Sequence, residues 1–178
     1  TGFIKSLLSK RGQFTQEQIT DSLVKAGEEM KASGIVAIGD ISNSNVSFAY
    51  KNSSNIYFHT FIELLDLVSE RALAVFEEGQ NLAEELRSKN IRNRVYSIVP
   101  HAPYTVSEKL FQLIASLKDN QPISIHNQET FSENELFKNR SGSLFDFFNS
   151  LGNSLSHIRQ TGKTSLQSYV PLMNSNAK

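Results

Sequence analysis

The sequence contains no cysteine and has no net charge, since its 18 Lys and Arg residues equal its 18 Asp and Glu residues. The lack of cysteine excludes a disulfide scaffold and any thiolate metal site, and it fits a reducing compartment such as the cytoplasm. The balanced charge gives no indication of a nucleic-acid or acidic-membrane partner. No apolar run approaches the roughly 18 residues of a membrane span, and no signal peptide is recognisable. We therefore expect a cytoplasmic chain that binds neither nucleic acid nor membrane.

Several motifs of common catalytic sites are also missing. The sequence has no Gly-rich phosphate loop, no Gly-x-Ser-x-Gly elbow and no dinucleotide fingerprint. It has no His-x-His pair, and no aspartate follows Asp146. At 178 residues the chain suits one domain, residues 1–178, with a sizeable core.

The apolar pattern alternates between strand and helix types. Short β-branched runs predict four strands, and amphipathic spacing predicts helices between and around them. The predicted strands lie at 35–42, 55–64, 95–100 and 122–126, and the predicted helices at 3–10, 15–33, 70–89, 108–118, 133–138 and 143–150. The first strand is expected to be buried, the segment 43–54 turn-like, and roughly the last 25 residues loosely ordered. This alternation favours an α/β fold with parallel strands.

Two of the predicted strands are each followed or ended by a histidine, His101 and His126. The helix between them, opened by Ser107, makes a crossover, and crossovers of this length join parallel strands. Both histidines should therefore lie at the carboxyl-terminal edge of the sheet, where sites in α/β proteins form.

His126 and Glu129 form the first candidate pair. A histidine at this edge can offer a neutral ring nitrogen to a divalent metal. A neighbouring carboxylate can move a proton between a water molecule and a leaving group. The alternative is a buried histidine satisfied by hydrogen bonds, with a surface glutamate beside it.

His101 lies between two prolines, Pro100 and Pro103, which restrict the backbone where the strand ends. A polar side chain held rigidly at that edge suits a substrate contact. The alternative is an ordinary strand-to-helix turn capped by Ser107.

His59 and Glu63 are an even number of residues apart on one strand, so both point to the same face. Glu63 lies near the carboxyl end and can reach a site shared with the two later histidines. His59 is deeper in the strand and is better explained as a core or interface residue. Asp40 also lies at the relevant edge, but Gly39-Asp40 is a common turn sequence.

With these motifs the chain resembles the amidohydrolase superfamily of metal-dependent hydrolases. The branch it is most similar to holds chlorohydrolases and the deaminases of guanine, S-adenosylhomocysteine, methylthioadenosine and aminofutalosine. The likeness is strongest at 99–107 and 123–130 and looser at 34–40 and 61–63. It implies part of a (β/α)8 TIM barrel with zinc or iron at its mouth, the first and last strands being missing.

The resemblance also implies roles for four residues. His126 would be a metal ligand, Glu129 the catalytic proton shuttle, and His101 and Glu63 substrate contacts. The implied reaction is hydrolytic deamination or dechlorination of a purine-like or other nitrogen heterocycle by a metal-bound hydroxide.

The family's His-x-His pair and its last-strand aspartate are absent. We therefore expect an internal fragment of a larger hydrolase barrel that is inactive alone, and whether it binds metal stays open. Open sheet edges and an open lumen predict a homodimer. Two alternatives remain at this point. One is a non-catalytic scaffold or binding module with the same fold, and the other is an unrelated small α/β protein with structural histidines.

Overall fold

The computed structural model describes residues 6, 10, 12–88, 95–117, 121–153 and 155–173. Residues 6 and 10 are helical, and from residue 12 on the described ranges form three strands, seven α-helices and one 3-10 turn. In chain order they are α1 (Gln16–Ala32), β1 (Ala37–Ser42), α2 (Phe48–Ser53), β2 (Tyr57–Leu64), the 3-10 turn (Ser69–Arg71), α3 (Ala72–Ser88), β3 (Val95–Pro100), α4 (Glu108–Ala115), α5 (Phe131–Asn139), α6 (Ser143–Ser150) and α7 (Ser165–Met173).

The three strands form one parallel sheet in the order β1-β2-β3. Ser42 is in register with Ile62, and Glu63 with Val99, so the strands end at a common edge. The predicted α/β arrangement of parallel strands alternating with helices is confirmed. All loops that leave this edge can meet above it.

Two apolar clusters hold the fold together. The larger one forms where α3, α4 and α7 cover one face of β2 and β3; its most enclosed members are Ile62, Ala72, Leu110 and Phe111. The smaller one joins α5 and α6 to the segment that follows them; its members are Leu136, Phe137, Phe147, Phe148, Leu155 and Ile158. The second cluster supports the loop that carries Glu129, because α5 begins directly after that loop.

Helix α1 begins where the sequence predicts. Thr15 and Gln18 form the capping box: the Thr15 hydroxyl accepts from the Gln18 amide, and the Gln18 side chain accepts from the Thr15 amide. Its only buried residue is Gly27, where an added Cβ would lie 1.6 Å from the Tyr50 hydroxyl. The helix therefore approaches α2 closely, and a side chain at position 27 would require the Tyr50 ring to move.

One predicted strand forms but is not buried, and another does not form. The strand predicted at 35–42 is present as β1, but it was expected to be buried and instead forms the edge of the sheet in the described chain; Val36, just before it, is 77% exposed. The segment 121–127 forms no strand. Its link to β3 is the bond from the His126 amide to the His101 carbonyl, 2.9 Å long. A β-branched sequence needs a neighbour along its whole length to form a ladder, and Ile123 is largely exposed.

Two segments predicted to lack regular structure are helical. Residues 48–53, in the expected turn, form α2 because Phe48 and Lys51 are buried against the sheet. The tail expected to be loosely ordered contains α7, anchored by the buried side chains of Ser165 and Tyr169. Of the predicted helix at 3–10 the structure describes residues 6 and 10, and both are helical; residues 89 and 118 of two other predicted helices lie outside the described residues.

Candidate active site

Three chain segments bring the candidate residues to the carboxyl edge of the sheet. Glu63 is the penultimate residue of β2, and His101 follows β3 directly. The His101 amide donates to the Leu64 carbonyl (2.9 Å), which extends the pairing of β2 and β3 by one residue. The His126 amide then donates to the His101 carbonyl, so the third segment joins the same edge.

The four predicted side chains meet there. The rings of His101 and His126 have centroids 5.2 Å apart. His126 lies between two carboxylates: its Nε2 is 3.1 Å from Glu63 Oε1, and its Nδ1 is 3.5 Å from Glu129 Oε1. A protonated ring donates to both carboxylates, whereas a neutral ring leaves one nitrogen free to accept a proton or a metal. The structure thus places all four residues in one cluster, and their individual roles stay predictions.

Burial shifts the ionisation of two members of this cluster. Glu63 is 7% exposed, and burial raises the pKa of its carboxyl, although His126 opposes the shift. Burial also lowers the pKa of His101 to about 4; the neighbouring His126 adds to this effect and Glu129 opposes it. His101 is therefore a neutral ring near neutral pH, suited to hydrogen bonding with a substrate rather than to pairing with an anion.

Two further residues of the 101–107 motif orient the cluster. Thr105 Oγ1 donates to the Ala102 carbonyl (3.1 Å) and lies 2.5 Å from His101 Nδ1. When the hydroxyl donates to the carbonyl, the neutral His101 ring donates from Nδ1 to Thr105 and leaves Nε2 as its acceptor. Tyr104 donates its hydroxyl to Glu129 Oε2 at 3.3 Å. Neither residue was predicted to take part in the site, although both lie within the 99–107 motif.

The loop between β3 and α4 is fixed by a buried carboxylate. Asp66 accepts from the backbone amide and from the hydroxyl of Ser107, both at 2.6 Å. The Ser107 hydroxyl also accepts from the Leu110 amide, so Ser107 is the N-cap of α4 as predicted. The two interpretations of His101, a residue of a capped strand-to-helix turn and a substrate contact, are therefore compatible, because the capped turn holds the ring at the edge of the sheet.

The other titratable candidates have partners elsewhere. His59 Nε2 lies 2.7 Å from Ser97 Oγ, and its ring stacks on Phe61. Asp40 pairs with the buried ammonium of Lys51 at 2.5 Å. None of these contacts reaches the four-residue cluster, in line with the sequence analysis, which preferred Glu63 to His59 and Asp40.

The chain is similar to two deaminases. The chain is 33% identical over 94 residues, 51% of its length, to the 5'-deoxyadenosine deaminase of Methanocaldococcus jannaschii. Its fold matches Helicobacter pylori aminofutalosine deaminase with a TM-score of 0.70 at 18% identity over 84% of the chain. The same enzyme in complex with methylthio-coformycin matches with a TM-score of 0.66, also at 18% identity and 84% coverage. The predicted resemblance to amidohydrolase deaminases is confirmed.

These deaminase relatives are longer than the chain. The chain spans 22% of the length of the M. jannaschii enzyme and 37% and 36% of the two H. pylori structures. The relatives are, by name, hydrolytic enzymes that act on C–N bonds, the class indicated by the motifs.

No family model matches the sequence. No helix in the described ranges is long and apolar enough to cross a membrane, and the cytoplasmic location stays a prediction.

Three residues of the cluster form a candidate site for a divalent metal. Glu63, His101 and His126 each offer one donor atom, and these atoms lie within 4.8 Å of one another. Two imidazoles and one carboxylate form a donor set that zinc and iron both accept in enzymes. The resemblance implies that His126 is a metal ligand and that Glu63 and His101 contact the substrate. In the structure all three are close enough to bind one ion.

The neutral state of His101 predicts a pH effect on stability. The unfolded chain protonates this ring near pH 6.5, whereas the folded chain does so near pH 4. Between these values the unfolded state binds the extra proton, so the His101 contribution to the free energy of unfolding decreases as pH falls. The raised pKa of Glu63 has the opposite effect, because there the folded state binds the extra proton and its contribution to the free energy of unfolding increases as pH falls.

Comparison with a His101→Asn variant isolates the first effect, because asparagine does not titrate. Urea unfolding from about pH 7 to about pH 4 should show the wild type losing stability more steeply than the variant. Parallel curves for the two proteins would show that His101 titrates normally.

Proposed function

We propose that the chain is part of a metal-dependent hydrolase that deaminates a purine-like or other nitrogen heterocycle. The observation that supports this most is the meeting of Glu63, His101, His126 and Glu129 at the carboxyl edge of a parallel sheet. The motifs that carry His101 and His126 are those of the deaminase branch. Dechlorination of a similar ring is the other reaction of this branch, and no residue in the described cluster favours it.

In this proposal His126 holds a divalent metal, either zinc or iron. When bound, such an ion acts as a Lewis acid and lowers the pKa of water. A catalytic zinc takes about three protein ligands and keeps one position open. Glu63 and His101 are near enough to assist His126, but the resemblance gives them to the substrate. We therefore propose that the 178 residues are an internal segment of a larger enzyme and do not turn over substrate alone.

Glu129 is the proposed proton carrier. It is 52% exposed, so it faces the space from which a substrate would enter. It takes a proton from the attacking water and delivers it to the departing amino group, while the C–O bond forms, the C–N bond breaks and ammonia leaves. Tyr104 holds the second oxygen of this carboxylate, which leaves the first oxygen toward His126 and the reacting atoms.

His101 and Glu63 are the proposed substrate contacts. The acceptor nitrogen of neutral His101 can accept from a substrate N–H or O–H group. The buried Glu63 carboxyl can hydrogen-bond to a hydroxyl or a ring nitrogen of the substrate. A substrate without such a group would leave the carboxyl unpaired and would bind less tightly. A purine nucleoside offers both kinds of group, and the M. jannaschii relative is named for one.

We also propose that the complete enzyme is a (β/α)8 barrel, which explains the exposed edge of the sheet. Val36 and Ile41 on and beside β1, and Phe14, Val24 and Met30 on and near α1, are exposed apolar residues. A strand edge of this kind pairs readily with another chain, so we propose that the isolated chain forms a homodimer. Sedimentation at increasing concentration should show a dimer; a monomer at every concentration would contradict this.

An assay of the complete enzyme tests the main proposal. The metal-loaded protein is incubated with purine nucleosides, free purines and chlorinated nitrogen heterocycles, and ammonia and chloride are measured. We expect ammonia from at least one purine substrate and none from the 178-residue chain alone. Absence of ammonia from every purine would contradict the proposed substrate class.

A further inference from the structure

A buried carboxylate directly behind the candidate site is not used by the proposed chemistry. Glu133 lies in the first turn of α5 and is 1% exposed. A carboxylate at this depth is costly unless hydrogen bonds satisfy it. Its partners therefore show what the residue is for.

The partners of Glu133 are the loop that carries Glu129 and the start of α7. Oε1 accepts from Asn127 Nδ2 at 3.1 Å and from Ser165 Oγ at 2.5 Å. Oε2 accepts from the backbone amide of Glu129 at 3.2 Å. Asn127 Nδ2 also lies 3.0 Å from Ser165 Oγ. One side chain thus holds the loop on both sides of residue 128.

This arrangement differs from ordinary helix capping. Thr130 and Glu133 have the spacing of a capping box, in which the glutamate would bond back to the Thr130 amide. Here the Thr130 side chain makes no capping bond, and the glutamate reaches one residue further, to the Glu129 amide. The carboxylate therefore serves the loop before the helix.

The loop adopts a conformation that needs such support. Gln128, between the two held residues, has a φ of 56°, in the left-handed region that side chains other than glycine rarely adopt. A strained residue persists when its surroundings hold it. The hydrogen bonds to Asn127 and Glu129 supply that restraint on either side.

We propose that Glu133 is a positioning residue for Glu129, and that Ser165 of α7 completes the support. By holding the 127–129 backbone, the buried carboxylate sets where the Glu129 carboxylate stands relative to His126 Nδ1 and the Tyr104 hydroxyl. The inference rests on the proposed function for its catalytic consequence only. Through Ser165, the segment after residue 152, which had no assigned role, becomes part of the support of the site.

Amide hydrogen exchange of a Glu133→Gln variant tests the proposal without substrate. In either orientation the glutamine amide places an N–H group against a donor, the Glu129 amide or Asn127 Nδ2. We expect exchange at the Glu129 amide to accelerate about tenfold, the effect of losing one hydrogen bond. Ladder amides of β2 and β3 should change less than about twofold, because the sheet is not involved.

Two further variants keep the result interpretable. Glu135→Gln removes the same charge from the same helix at a carboxylate that accepts from Asn139 Nδ2, and it should leave the Glu129 amide unchanged. If Glu133→Gln does not fold, Glu133→Asp retains the charge but shortens the side chain, and it should accelerate the same amide. Unchanged exchange at Glu129 in the folded variants, or an equal increase at every amide, would overturn the positioning role.

The complete enzyme separates this inference from the proposed function. There we expect Glu133→Gln to lower kcat about tenfold and to leave KM within about twofold, since the proposed substrate contacts are on other residues. Faster exchange at Glu129 with an unchanged kcat would overturn the catalytic role of Glu129 and not the structural one of Glu133.

Discussion

Replacement of Glu129 by glutamine is expected to lower kcat of the complete enzyme by about 10²–10⁴-fold, the usual contribution of a general acid–base residue. The amide has nearly the shape of the carboxylate and still accepts from the Tyr104 hydroxyl, which is 3.3 Å from Glu129 in the wild type. It cannot take a proton from water. The loss should therefore appear in kcat, with little change in KM.

A matched substitution shows whether the loss is specific. Glu108→Gln changes a carboxylate in the first turn of α4 that bonds the side chain of Gln112 and lies outside the cluster. This variant should retain wild-type kcat. If Glu129→Gln were as active as Glu108→Gln at all pH values, Glu129 would not be the proton carrier.

Replacement of His126 by alanine is expected to remove metal from the complete enzyme. The loss of a residue that only supports a ligand already weakens metal binding by about 10–100-fold, and removal of a ligand should cost at least as much. Metal content after dialysis, measured by mass spectrometry, should fall to background, and deamination should fall with it.

His59→Ala is the control for this experiment. His59 lies on β2 and bonds Ser97, and it is not among the three donors that lie within 4.8 Å of one another. Its replacement should leave the metal content near the wild-type value. If His126→Ala retained its metal as His59→Ala does, another set of residues would hold the ion.

The parts of the fold that depend on local signals were predictable. The capping box at Thr15, the N-cap at Ser107 and the helix 143–150 each follow from residues within one or two turns. The meeting of His101 and His126 was also predictable, although the strand expected before His126 does not form. The edge of the sheet at which each histidine lies depends on the direction of the chain, and the hydrogen bond from the His126 amide to the His101 carbonyl keeps the two segments together there.

The remaining features depend on contacts between distant residues. Whether β1 is buried depends on its neighbours in the sheet and not on its β-branched residues. The helix α7 forms against a core made by α3 and α4, and its Ser165 meets Glu133 from 32 residues away. Thr105 and Glu133 carry no signal of their own in the sequence, because a threonine or a glutamate in a loop or first turn is common. Their positions become meaningful only when their partners are known.

Nuclear Overhauser spectroscopy of the side chains is the most direct test that one site exists. With centroids 5.2 Å apart, the rings of His101 and His126 should give cross-peaks to each other. The His126 ring should also give cross-peaks to the side chains of Glu63 and Glu129, whose oxygens lie 3.1 and 3.5 Å from its nitrogens. Cross-peaks from each ring to other neighbours, with none between the two rings or to these glutamates, would contradict the account.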